Sequence, residues 1–160
     1  MKKTKNDFNK IKNIEDLCSM VEKRIPNNSE NNSEYFTAVN RILLKAGYIY
    51  CILKDRREID DLLKLIKSSI KELEYELKDL QDKFNICILY TQKSDEFRQE
   101  AKKIMENVFH DTDFTLEKDG VEIKKIIRDA RQLISYLNPY ANINHTSFLE
   151  AVSNPDFFKN

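Results

Sequence analysis

Apolar residues recur along most of this chain at spacings of three, four and seven, the signature of amphipathic helices. Phe8, Ile11, Leu17, Cys18, Val21 and Ile25 make a first stripe that stops at Pro26. Residues 26–33 carry no apolar side chain and several capping types, so they predict a loop with Ser33 as the next N-cap. From Glu34 to Leu53 the positions Phe36, Val39, Ile42, Leu43, Ala46, Ile49, Tyr50 and Leu53 follow the helical period densely enough to predict a central helix buried on more than one side. Gly47 before the β-branched and aromatic cluster Tyr48–Leu53 allows a competing strand, but a lone strand needs a partner and the chain offers few.

The next segment carries a heptad pattern. Ile59, Ile66, Leu73, Leu80 and Cys87 recur every seven residues, with Leu63, Ile70, Leu77 and Phe84 interleaved four positions on. The pairs Asp60/Lys64, Glu74/Lys78 and Asp79/Lys83 supply favourable i,i+4 charges. This pattern predicts one helix over 58–90, roughly 33 residues and about 50 Å long. Such a helix outreaches a compact domain of this length, whose radius of gyration is about 15 Å. Its seam either packs inside the chain or faces a second molecule.

Ser94 then caps a helix bearing Phe97, Ala101, Ile104, Met105, Val108 and Phe109. Residues 112–123 alternate apolar and polar types around Asp119-Gly120, a short-range hairpin signal, and the competing reading is a loop with Asp119 capping the next helix. Val121, Ile123, Ile126, Ile127, Ala130, Leu133, Ile134 and Leu137 mark a helix ending at Asn138-Pro139, with a short helix over 146–152 and a tail carrying Phe157 and Phe158.

Composition narrows the class. Only 2 Gly and 3 Pro leave little material for turns or phosphate-cradling loops, which excludes all-β and dinucleotide-binding folds. The expected fold is all-α: a bundle of five to six helices around a long antiparallel helical hairpin with coiled-coil-like heptads, with a small β-hairpin near 113–124 as one of two readings. The 160 residues are expected to form a single soluble domain, divided into an N-terminal helix and loop (1–33), the long hairpin and following helix (34–110), and an acidic loop, basic helix and short C-terminal helix (111–160). Lys+Arg and Asp+Glu balance at 27 each, so no global field draws the protein to nucleic acid or a membrane. The basic start, Met1 to Asp7, leads into no apolar run, and the expectation is a cytoplasmic protein with no membrane partner. Cys18, Cys51 and Cys87 sit among apolar neighbours and read as reduced core residues.

Candidate chemistry is sparse. His110 lies beside Asp111 and Asp113, but a calcium loop begun at Asp111 would need glycine where Leu116 stands, so no metal and no cofactor is expected. Neither His110 nor His145 has an arginine compactly spaced upstream, and no acid, base and nucleophile set assembles, so no enzyme is expected and no catalytic residue is assigned. Two surfaces remain. The heptad helix, through Leu63, Ile66, Ile70, Leu73, Leu77 and Leu80 with Tyr75 outward, suggests an adaptor, inhibitor or immunity-type protein that binds another protein or a second copy of itself. The alternative is phosphate contact in a nucleic-acid-bound complex, through Arg98, Lys102 and Lys103 on one helix and Lys124, Lys125, Arg128 and Arg131 on another.

Overall fold

The computed structural model describes residues 7–26, 34–67, 70–90, 93–109 and 112–136. A 3-10 turn over Asp7–Lys10 precedes six α-helices: α1 (Ile14–Arg24), α2 (Glu34–Leu53), α3 (Ile59–Lys67), α4 (Ile70–Tyr90), α5 (Asp95–Val108) and α6 (Leu116–Tyr136). The described residues contain no strand. The helical bundle is therefore borne out, while the expected 146–152 helix lies outside the described residues.

Local chemistry sets the ends of α1. The Asn13 side chain accepts from the Asp16 N–H at 2.9 Å, and the Asp16 carboxylate accepts from the Lys12 N–H at 3.0 Å. Glu15 and Asp16 in the first turn and Lys23 and Arg24 in the last complement the helix dipole. Before Pro26, the Ile25 carbonyl takes the Arg41 Nε–H at 2.8 Å, which ties the end of α1 to α2.

Helix α2 is the central element, with every residue from Ala46 to Leu53 buried. It ends in a Schellman arrangement without glycine: the Arg56 N–H returns to the Cys51 carbonyl at 2.8 Å, the Asp55 N–H to Ile52 at 3.2 Å, and Asp55 takes the left-handed φ of 54°. Aspartate is among the few non-glycine residues that tolerate this region.

The single helix expected over 58–90 is two helices, α3 and α4. Leu62 lies against Gly47, its Cδ1 within 2.9 Å of where a glycine Cβ would stand. The Glu76 carboxylate accepts from the Tyr50 hydroxyl at 3.1 Å. In one straight helix Leu62 and Glu76 would be about 21 Å apart, yet they meet positions on α2 separated by roughly 4.5 Å. The chain therefore runs back along α2 as α3 and returns beside it as α4. Both helices turn an apolar stripe to the same core, so the seven-residue period persists although the helix does not.

Helix α4 packs against α5 and α6, and α2 against α1, α3 and α6. Phe84 and Phe109 meet edge to face at 5.9 Å between ring centroids, and the Cys87 thiol donates to the Ala101 carbonyl at 3.6 Å.

The hairpin reading of 113–124 is corrected. Asp119-Gly120 lies within the first turns of α6, whose start is capped by Thr115: its Oγ1 accepts from the Lys118 N–H at 3.2 Å. Asp119, 3 % exposed, has one carboxylate oxygen on the Thr115 N–H and the other on the Ile14 N–H, each at 3.1 Å. One buried side chain thus fixes the beginnings of both α6 and α1. Gly120 stands where a Cβ would meet the Leu116 side chain at 2.6 Å, so it keeps that leucine in place.

Candidate interaction surface

The reactive side chains within the bundle are held in their neutral forms. Burial pushes the Cys51 thiol up to about 12, and it also raises Cys87 and Cys18. Burial, followed by the bond to Glu76, raises the Tyr50 hydroxyl to about 12. A thiol so disfavoured as thiolate is a poor nucleophile and a poor metal ligand. Among the described residues no group of three or more His, Cys, Asp or Glu could hold a metal ion. His110 and His145 lie outside the described residues.

The heptad residues separate into three sets. Leu77 and Leu80 are buried in the chain's own core, which corrects their assignment to a partner face: they pack inward where α4 lies along α2. Leu63 is partly buried against that core. Tyr75 is outward as expected, at 72 % exposure. The side chains of Ile66, Ile70 and Leu73 lie outside those described.

The basic residues occupy two separate surfaces. Arg98, Lys102 and Lys103 are exposed on α5, with Arg98 paired to Asp95 one turn back. On α6, Lys125 and Arg128 are exposed and Lys124 and Arg131 are half-buried. Arg128 lies 3.5 Å from the Asp129 carboxylate, and Arg131 donates to the Gln81 side chain of α4. The carboxylate and amide partners already engage three of these seven cations, which lowers the charge density a phosphate backbone would meet.

A concave surface lies between α5 and the start of α6. This cleft of about 590 Å³ has a floor of Ala101, Met105, Phe109, Phe114 and Leu116, and a rim of Arg98, Lys102, Glu106 and Glu117. Its walls are set by contacts already described. Phe109 is held by Phe84, while Phe114 and Leu116 are placed where Asp119 starts α6. Lys102, Glu106 and Glu117 are exposed and make no ion pair with another described residue. An apolar floor of this size with a few charges at its edge is the usual form of a binding cleft. Sequence reading missed Phe109, Phe114, Glu106 and Glu117 as site residues. The available signal was a pair of phenylalanines flanking a short link between two amphipathic helices, but periodicity assigns such residues to the core by default.

No helix among the described residues is long and apolar enough to cross a membrane. No family model, no curated protein and no solved structure matches the chain.

Proposed function

We propose that this chain is a non-enzymatic protein–protein interaction protein, an adaptor, inhibitor or immunity-type factor of the cytoplasm, and that it binds through the α5–α6 cleft. The cleft's apolar floor and charged rim carry this reading. Buried Met105 and Phe109 beside exposed Lys102 and Glu106 give the apolar centre and polar border that a protein partner meets at an interface. The described part of the heptad seam lies largely in the core, which leaves the cleft as the better partner face.

The test is a capture of tagged protein from its native host at moderate salt, with and without nuclease, read by mass spectrometry. A stoichiometric protein partner that survives nuclease and is lost from the double variant Arg98→Glu/Lys102→Glu supports the reading. Both side chains are exposed, so the fold is expected to survive the change, and circular dichroism checks it. Capture that vanishes with nuclease and falls steeply with salt overturns it in favour of phosphate contacts through Lys124, Lys125, Arg128 and Arg131.

A further inference from the structure

Along the face of α5 that borders the cleft, charge changes sign once: Arg98 and Lys102 are positive and Glu106 is negative. The apolar positions of the same face are Phe97, Ala101 and Met105, at i, i+4 and i+8. Ala101 and Met105 are buried, whereas Phe97, at the end of the row, is 47 % exposed. A helix with this pattern is complementary to itself when reversed. If two copies of α5 lie antiparallel about a twofold axis at the level of Ile104, each Lys102 comes opposite the other copy's Glu106, and the match occurs twice. The same register carries each Phe97 to the level of the other copy's Phe109 and Phe114, the apolar end of the cleft. Ile86 and Leu89, exposed near the end of α4 that leads into α5, extend the apolar surface on that side.

We propose that the occupant of the α5–α6 cleft is a second copy of this chain, paired antiparallel through α5, with two reciprocal Lys102–Glu106 contacts and Phe97 seated in each cleft. This rests on the reading of the cleft as a protein-binding surface and names its partner. A single helix whose apolar row ends in an exposed phenylalanine, beside a cleft with a phenylalanine floor, supplies both halves of the contact. An isologous interface needs no other component.

The experiment is sedimentation of the purified full chain across the micromolar range, on the wild type and on four variants. The expected result is a wild-type dimer. Lys102→Glu faces acid with acid and Glu106→Lys faces base with base, so each variant alone sediments at half the dimer mass. The double variant Lys102→Glu/Glu106→Lys restores the charge match and the dimer. An equimolar mixture of the two single variants forms a heterodimer, because every 102–106 contact in it is again opposite in sign. Phe97→Asp gives a monomer with an unchanged helical spectrum. A wild type that stays monomeric overturns the proposal, as does a dimer indifferent to Lys102, Glu106 and Phe97. Failure here is separable from failure of the wider reading: a monomer that still captures a nuclease-resistant host protein, and loses it in Arg98→Glu/Lys102→Glu, leaves protein binding standing and removes only the second copy as its partner.

Discussion

Asp119 shows how one residue can decide two helices. Its carboxylate satisfies the N–H groups of Thr115 and Ile14, both of which would otherwise lack this acceptor at a helix start. Replacing it by alanine orphans both, so Asp119→Ala is expected to lower the unfolding free energy by about 2–4 kcal/mol in urea denaturation. Asp119→Asn keeps one acceptor and is expected to fall between the two. In the sequence, this residue and Gly120 form the strongest turn signal in the chain. The dipeptide fits a helix equally well when its aspartate reaches back to the cap and its glycine clears space for Leu116. Local pattern has no access to the distant Ile14 amide that helps to tip the choice. Tyr50 offers a second test at this scale. The fold holds the phenol neutral, with its value raised from 10.0 to about 12. Stability from this group is therefore complete below pH 10 and is lost as pH rises towards 12. Ultraviolet titration should show one tyrosine ionising late, and Tyr50→Phe should flatten the alkaline loss of stability.

At the scale of elements, the seven-residue repeat was legible but its continuity was not. A heptad pattern reports which side chains face an apolar neighbour. It is satisfied equally by one long helix against a partner and by two shorter helices that fold back over α2. The sequence at the junction reads Lys67-Ser68-Ser69-Ile70, and serine favours helix starts over helix interiors, so a weak break signal was present beneath a strong period. Six helices and most of their core positions can be read from periodicity alone. The cleft cannot, because it arises where two helices fail to fill the space between them, and that depends on crossing geometry rather than on either stripe. The end of α2 offers a clean test of element chemistry. Asp55 carries the left-handed strain in an otherwise ordinary Schellman close. Asp55→Gly should raise stability by up to about 1 kcal/mol, and Asp55→Val should lower it by about 1–2 kcal/mol, both read from denaturant midpoints at constant m-value.

Across the whole molecule the three cysteines are reporters of cooperativity. All are free, Cys51 and Cys87 are buried and Cys18 is partly so. Their thiols are raised by burial, which suppresses reaction in the folded state. A disulfide reagent in excess should therefore modify Cys18 first and Cys51 and Cys87 only as the bundle opens. If Cys51 and Cys87 react at one rate that tracks denaturant, α2 and α4 belong to a single unfolding unit; two rates would divide them.

The bond between Asp119 and Ile14 also imposes an order on biosynthesis. The two groups are 105 residues apart in the chain. At roughly 5–20 residues per second of translation, the Ile14 amide is exposed for about 5–20 s before its acceptor is even made. Through that interval α1 can hold its Asn13 cap but not its final place. The nascent chain is thus drawn shut from its far end, the first helix docking only after the start of the last has emerged.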